Sequence, residues 1–195
     1  QQIKENLNLP SDKKVIMYAP TWRDDEFVKK GKYLFNLQID LDNLQAQLGD
    51  EYVVLLRMHY LISNALDLRG YEDFAIDVSN YSDISELYLI SDCLITDYSS
   101  VMFDYGVLKR PQFFFAYDLD KYGKDLRGFY LDYHKDLPGP IHQDAYQLTE
   151  DLKNLDQVAI DYKDKIDKFY NEFCSLEKGE GSKAIADLIT GKKHN

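Results

Sequence analysis

Residues 94–111 read LITDYSSVMFDYGVLKRP and have the pattern of a strand, a turn and a helix. An apolar run ends at Thr96–Asp97, two serines follow at once, and the next segment holds one acid, Asp104. Continuous apolar runs are typical of parallel strands that other elements cover on both faces. The stretch therefore predicts an α/β fold with polar residues at a strand-to-helix turn.

Apolar runs of the same kind recur along the chain, with helical patterns between them. The runs are VIMYA (15–19), YVVLLR (52–57), FAIDV (74–78), CLITD (93–97) and QFFFA (112–116). Helical spacing of apolar residues occurs over 41–48, 62–69 and 84–88, and further helical segments are expected near 144–155, 158–175 and 181–190. This alternation predicts a Rossmann-like, doubly wound parallel sheet with C-terminal helices.

The length and net charge of the chain limit the number of domains and the kinds of ligand that we expect. Its 195 residues suit a single domain over 1–195, and its formal net charge of −11 argues against a nucleic-acid partner. One small phosphate ligand remains compatible, because backbone amides can hold it. The amino end, QQIKENLNLP, lacks the pattern of a signal peptide, and no apolar run of about 18 residues occurs, so we expect a soluble cytoplasmic chain cut from a longer one. Cys93 and Cys174 lack metal spacing and are expected to be reduced and structural.

Polar residues follow each of the five predicted strands, with Tyr117–Asp118 after the fifth. Arg23 follows the first strand and His59 the second, while Ser79–Asn80–Tyr81 follows the third and Ser99–Ser100 the fourth. Ligands of open parallel sheets bind beyond the carboxyl ends of the strands. We therefore expect these residues to share one edge and to form the binding site.

The serine turn predicts an anion site. Ser99 and Ser100 would place hydroxyls and free backbone N–H groups at the positive end of a helix dipole. Asp104, about one turn later, could accept hydrogen bonds from ribose hydroxyls. The alternative is that one serine merely caps the helix and that Asp104 is a first-turn acid.

His59 and Arg23 also have two interpretations each. An imidazole titrates near neutrality and could protonate a leaving phosphate oxygen, and a guanidinium matches phosphate geometry. The alternatives are a hydrogen-bonded histidine near a strand end and an arginine in a surface ion pair. The other histidines, His134, His142 and His194, show no metal-ligand spacing and are expected at the surface. We predict no metal site.

Four ordered blocks carry a resemblance to a known family. They are YAPTWRDD (18–25), LLRMH (55–59), ISDCLITDYSSVMFDY (90–105) and RGFYLDYHKDLPGP (127–140). Together they resemble the CDP-glycerol glycerophosphotransferase family, the bacterial polymerases and primases of teichoic acid synthesis. The resemblance implies the second, nucleotide-binding half of a GT-B arrangement, with the first half absent from this chain.

The resemblance also implies a reaction. Glycerol phosphate would pass from CDP-glycerol to the terminal hydroxyl of a growing poly(glycerol phosphate) wall teichoic acid chain, with release of CMP. His59 would stabilise or protonate the leaving CMP phosphate, and Arg23 would contact a phosphate. Ser99 and Ser100 would bind the pyrophosphate, and an acid at the place of Asp104 would contact ribose.

Further expectations concern the base, the acceptor and the membrane. The loop of Ser79, Asn80 and Tyr81 would face the cytosine through backbone groups. The general base toward the acceptor hydroxyl is expected in the absent half, which would also hold most of the lipid-linked acceptor, so this chain alone would be inactive. We expect peripheral attachment of the full-length protein at the inner face of the bacterial membrane. Metal dependence and homo-oligomer formation are left open.

Two rival interpretations remain at this point. The first is a GT-B sugar transferase or epimerase that uses a UDP-sugar, which donor preference would distinguish. The second is a regulatory nucleotide-binding module without transfer activity, which would release no CMP.

Overall fold

A six-stranded parallel sheet forms the centre of the structure, a computed structural model that describes residues 2–21, 23, 27–29, 32–33, 37–59, 66–122 and 131–191. The described strands are β1 (Lys14–Tyr18), β2 (Phe27–Lys29), β3 (Lys32–Tyr33), β4 (Tyr52–Leu56), β5 (Ala75–Asp77), β6 (Cys93–Thr96), β7 (Gln112–Phe115) and β8 (Ile141–His142). β2 and β3 form a separate antiparallel pair. The five predicted strands are confirmed as β1, β4, β5, β6 and β7.

Helices follow most of the central strands. The described helices are α1 (Gln2–Asn6), α2 (Leu41–Leu48), α3 (Ile84–Ile90), α4 (Val101–Gly106), α5 (Leu119–Lys121), α6 (Ala145–Lys153), α7 (Leu155–Asp161), α8 (Lys163–Phe169) and α9 (Gly181–Ile189), with a π-helical turn at Tyr170–Cys174. The expected helix over 158–175 is divided among α7, α8 and the π-helical turn. The expected helix over 62–69 lies partly outside the described residues, and its described part is not helical. Within the described ranges, no helix is long and apolar enough to cross a bilayer.

The order of the central strands is β5-β4-β1-β6-β7-β8, and each neighbouring pair is parallel. The chain begins in the middle of the sheet, moves outward to β5, and then returns to the other side of β1. The order therefore reverses between β1 and β6, which is the topological switch point of a doubly wound sheet. The prediction of a Rossmann-like α/β sheet is confirmed.

Apolar layers cover both faces of the sheet. Ile16 and Tyr18 of β1 belong to the layer formed with α2, α6 and α7, whereas Val15 and Met17 belong to the layer formed with α1, α3 and α4. This alternation explains why the strands read as continuous apolar runs, since both kinds of side chain are buried. Burial of each large apolar side chain contributes roughly 1.5–3 kcal/mol to folding. Cys93 and Cys174 are buried and free, as expected.

An acidic side chain caps the N-terminus of α3. Asp83 is the N-cap residue, and its carboxylate accepts a hydrogen bond from the backbone N–H of Ser85 over 2.9 Å. Glu86 instead accepts a hydrogen bond from the Tyr81 hydroxyl over 2.5 Å. This first-turn acid of α3 therefore fixes the loop between β5 and α3.

The edge strand β8 was not predicted, because only one apolar residue marks it between Pro140 and His142. Its backbone pairs in parallel with β7, with His142 opposite Phe115. The prediction that His142 lies at the surface is wrong, since only 5% of it is exposed. His134 is exposed, as expected, and His194 lies outside the described residues.

Candidate functional site

A cleft opens at the carboxyl edge of the sheet, beside the switch point. Its volume is about 200 Å³, and it is lined by Ala19, Pro20, Arg57, Met58, His59, Ser79, Ile84, Ser99 and Val101. These residues follow β1, β4, β5 and β6, the four strands around the reversal of strand order. The structure therefore brings together His59, Ser79 and Ser99, as the sequence predicts for one edge of a parallel sheet.

His59 lies three residues beyond β4 and is partly exposed in the cleft. Partial burial lowers the pKa of its imidazole from the ordinary value of 6.5. The neutral form therefore predominates at pH 7. A neutral imidazole can donate one hydrogen bond to a phosphate oxygen, and a nearby dianion would favour its protonation.

The serine turn contributes unequally to the cleft. Ser99 lines it, whereas Ser100 is exposed and is not among the lining residues. Ser100 occupies the N-cap position of α4 without a side-chain cap hydrogen bond, and the Val101 N–H reaches Ser99 Oγ only over 3.4 Å. Capping of α4 by the serine side chains is therefore weak and does not by itself explain why two serines occupy this turn. Within the described part of the chain, the backbone N–H groups of Ser99 and Ser100 donate no hydrogen bond.

Asp104, Asn80 and Tyr81 do not line the cleft. Asp104 is exposed on α4, and partial burial of its carboxyl raises the pKa above the ordinary 3.8. The Tyr81 side chain turns to Glu86, and Asn80 is exposed. A ribose contact from Asp104 and base contacts from Asn80 and Tyr81 stay predictions.

Arg23 has different partners from the phosphate that the sequence suggested. Its side chain is buried, and its Nε and Nη2 donate to the carboxylate of Asp118 over 2.8 and 3.0 Å. Its Nη1 donates to the Thr21 carbonyl over 2.6 Å and lies 3.0 Å from Asp97 Oδ2. Burial would lower the pKa of Arg23, but these acids outweigh that effect and raise it. The structure therefore assigns Arg23 to a buried ion-pair cluster, and a phosphate contact stays a prediction.

Aromatic rings enclose the same guanidinium. The rings of Tyr98, Tyr117 and Tyr122 have their centroids 5.1, 5.1 and 5.4 Å from its central carbon. Tyr98 also stacks on Tyr122 at 3.7 Å and donates to Asp118 over 2.9 Å. We call Arg23, Asp97, Asp118 and these three tyrosines the arginine cluster. It holds together the segments that leave β1, β6 and β7 at the carboxyl edge.

Sequence reasoning missed Arg57 and Asp97. Arg57 lines the cleft, and its Nη1 donates to the carbonyls of Val78, Ser79 and Tyr81 over 2.7, 2.8 and 2.8 Å. Asp97 is only 1% exposed, and burial raises the pKa of its carboxyl while Arg23 opposes that rise. Each residue ends an apolar strand run, and that position was the available signal. The described residues contain no group of three or more acids, histidines or cysteines suited to a metal ion.

The strand order and the cleft define the class of protein: a doubly wound, Rossmann-like α/β domain with its site at the switch point. The sequence matches the model of the CDP-Glycerol:Poly(glycerophosphate) glycerophosphotransferase family over residues 1–191. The chain belongs to this family, as the sequence blocks indicated.

Named relatives and solved structures agree with this assignment. The chain is 73% identical to a teichoic acid poly(glycerol phosphate) polymerase of Staphylococcus epidermidis, over 96% of this chain and 26% of that protein. It is 58% identical to a teichoic acid glycerol-phosphate transferase of Staphylococcus aureus, over 96% of this chain and 48% of that protein. The structure of the wall teichoic acid polymerase TagF matches with a TM-score of 0.87 and 73% identity, over 97% of this chain and 46% of that one. The chain thus spans about half the length of these relatives, or less.

Proposed function

We propose that this chain is the donor-binding part of a glycerophosphotransferase. It would hold CDP-glycerol while glycerol phosphate passes to the terminal hydroxyl of a poly(glycerol phosphate) wall teichoic acid chain, with release of CMP. The observation that carries the proposal is the switch-point cleft, which places His59 and Ser99 together in a chain of this family. A structure of TagF soaked with CDPG, matching this chain with a TM-score of 0.87, supports the choice of donor.

The cleft suggests how donor and domain fit together. A volume of about 200 Å³ is below the roughly 300–1,000 Å³ typical of ligand pockets, so the cleft would hold part of the donor. We infer that the diphosphate lies against Ser99, with the cytidine toward the loop of Ser79, Asn80 and Tyr81. Ser100 and Asp104 would contribute from the exposed side of α4.

The reaction is a substitution at the β-phosphorus of CDP-glycerol. The acceptor oxygen forms a bond to this phosphorus while the bond from phosphorus to the bridging oxygen breaks, and CMP leaves with that oxygen. Charge grows on the leaving phosphate, and the backbone N–H groups of the serine turn and the His59 imidazole would stabilise it. The acceptor hydroxyl must lose a proton, and we place the base for that step outside this chain.

We also propose how this domain is combined with the rest of the enzyme. The chain would be one half of a GT-B enzyme, with acceptor binding mainly in the other half. A net charge of −11 suits that division, because a polyanionic acceptor would be repelled from most of this surface. We place the full-length enzyme at the inner face of the bacterial membrane as a peripheral protein.

An assay of CMP release tests the proposal. The protein at its natural length is incubated with CDP-glycerol and a poly(glycerol phosphate) acceptor, and UDP-glucose replaces CDP-glycerol in a parallel sample. We expect CMP release that depends on acceptor, and no reaction with UDP-glucose. Turnover of the UDP-sugar would favour the sugar-transferase rival, and binding of CMP without turnover would favour a regulatory module.

A further inference from the structure

Arg57 gathers three carbonyl groups of one short loop onto a single nitrogen. Its Nη1 lies 2.7 Å from the oxygen of Val78 and 2.8 Å from those of Ser79 and Tyr81. The loop between β5 and α3 therefore wraps around the guanidinium. Side-chain hydrogen bonds to carbonyls over 2.7–2.8 Å with a charged donor belong to the stronger class of protein hydrogen bonds.

Other hydrogen bonds fix the same loop. The Ser79 hydroxyl accepts from the Met58 N–H over 3.0 Å and donates to Asp77 Oδ1 over 2.5 Å. The Tyr81 N–H donates to the Val78 carbonyl over 3.0 Å. The loop is consequently attached to the two residues that directly follow β4, Arg57 and Met58.

The orientation of the carbonyls determines where the amide hydrogens point. In a trans peptide, the C=O and the following N–H point in opposite directions. The peptides that follow Ser79 and Tyr81 turn their oxygens to Arg57, so they turn the N–H groups of Asn80 and Ser82 away from it. Neither N–H has a hydrogen-bond acceptor among the described residues, and both residues are exposed. The loop thus has two exposed backbone N–H groups that are available as donors.

We propose that Arg57 is a specificity-determining positioning residue, which holds the loop of residues 78–82 so that its outward N–H groups select cytosine over uracil. The inference rests on the proposed function, because it assumes a cytidine donor that lies partly in the cleft and whose base extends beyond the cleft to this loop. Cytosine presents two adjacent acceptors, O2 and N3, to a pair of donors. Uracil carries a hydrogen on N3, so a donor facing that position finds no acceptor. Preference for cytosine follows from backbone geometry that Arg57 maintains.

Arg110 provides a matched control. Its Nη1 also lies near three carbonyls, those of Tyr88, Leu89 and Ser91, at 3.5, 2.9 and 2.6 Å. These carbonyls lie at the end of α3, before β6, and Arg110 does not line the cleft. Arg110→Met therefore removes the same kind of contact without reaching the site.

The test compares Arg57→Met, Arg110→Met and the unaltered protein at its natural length, by calorimetric titration with CMP, UMP and inorganic pyrophosphate. We expect Arg57→Met to lower the CMP-to-UMP affinity ratio about tenfold, the effect of one lost base hydrogen bond, while Arg110→Met keeps the ratio. Equal weakening of CMP, UMP and pyrophosphate would make Arg57 a phosphate ligand and overturn the inference.

Amide hydrogen exchange in the ligand-free protein separates this inference from the proposed function. We expect faster exchange at Tyr81 in Arg57→Met and unchanged exchange there in Arg110→Met, whichever nucleotide the cleft accepts. Unchanged exchange at Tyr81 in Arg57→Met would overturn the role of Arg57 in holding the loop. Absence of CMP binding by the unaltered protein, together with faster exchange, would instead reject the cytidine donor and with it the selection of cytosine.

Discussion

The carboxylate of Asp97 accepts a hydrogen bond from the backbone N–H of Thr21 over 2.8 Å and so joins the ends of β6 and β1 where the strand order reverses. The same oxygen accepts from the N–H of Tyr98 over 2.6 Å. One buried acid thus fixes both segments that lead into the cleft.

Asp97→Asn should destabilise the domain. The amide keeps the size of the side chain but removes the negative charge 3.0 Å from Arg23. Loss of one partner from a buried ion pair costs about 3 kcal/mol, and we expect that decrease in the free energy of unfolding from urea denaturation. Asp156→Asn is the control, because that acid pairs with Lys14 at the surface and its side chain is 89% exposed. Equal stability of the two variants would show that the arginine cluster does not depend on Asp97.

In the protein at its natural length, His59→Ala should abolish most turnover without unfolding. A positioned acid–base group contributes about 100-fold or more to a rate, so we expect kcat to fall by at least that factor. The melting temperature should be unchanged, since His59 is partly exposed. His134→Ala alters an exposed histidine outside the cleft and should keep kcat. A near-normal kcat for His59→Ala would remove the imidazole from the mechanism.

Ser99→Ala and Ser100→Ala should together weaken binding of CDP-glycerol. Each lost hydrogen bond to a charged phosphate is worth roughly 1.5–3 kcal/mol in calorimetric titration. Because Ser99 lines the cleft and Ser100 does not, we expect Ser99→Ala to produce the larger part of the loss. Ser175→Ala is a control, as its hydroxyl donates to the Asn171 carbonyl on an exposed helical turn. Unchanged affinity in the double variant would return both serines to a structural role.

His142 should make stability depend on pH. Burial lowers the pKa of its imidazole below 6.5, although Asp151, with its Oδ2 3.3 Å away, and Asp144 oppose this shift. The unfolded chain therefore binds a proton more readily, and stability falls as the pH decreases from 6.5 toward the lower folded pKa. Above pH 6.5, both states are neutral and the effect vanishes.

Melting temperatures of the unaltered protein and His142→Gln, measured between pH 7.5 and 5.5, check this sign. The variant should lose less stability on acidification than the unaltered protein. Parallel curves for the two proteins would assign the pH dependence to other groups, such as His59, whose pKa is also lowered by burial.

Gly139→Ala should disrupt the edge of the sheet. A Cβ at this position would lie 1.7 Å from the Gln112 carbonyl oxygen, so β7 and the segment before β8 would have to separate. We expect a loss of about 3 kcal/mol in the free energy of unfolding. Gly181→Ala, where the nearest atom is Glu177 Oε2 at 3.4 Å, should be tolerated. Similar stability of both variants would mean that this edge adjusts easily.

The central strands could be predicted because burial on both faces leaves a local mark. Val54 is buried in one apolar layer, and its neighbours Val53 and Leu55 are buried in the layer on the other face of the sheet, so three consecutive residues are apolar. β8 leaves no such mark, because its pairing with β7 depends on backbone contacts between residues far apart in the chain. A two-residue edge strand is too short to show a periodic pattern of apolar residues, so it could not be predicted from the sequence.

The position of the candidate site could be predicted from the sequence, whereas the partners of its arginine side chains could not. Strand ends placed His59, Ser79 and Ser99 at one edge, and the structure gives them one cleft. Sequence order could not indicate that Asp118 lies beside Arg23 or that three loop carbonyls lie beside Arg57. Each of these contacts joins segments that only the folded sheet brings together.

The cleft is lined by residues that follow four different strands, so it can form only when distant parts of the chain have come together. Its lining residues extend from Ala19 to Val101 in sequence, and β1 pairs with β6 across more than seventy intervening residues. Contacts between such distant segments require the closure of long loops, which costs chain entropy, so we expect the binding surface to form late in folding. A ligand that binds the native cleft but not the unfolded chain stabilises it by RT ln(1 + [L]/Kd), about 2.7 kcal/mol at a hundredfold excess over Kd. Bound nucleotide would therefore stabilise β1, β4, β5 and β6 together. Proteolysis of all four strands should become slower, because the unfolded chain is less populated.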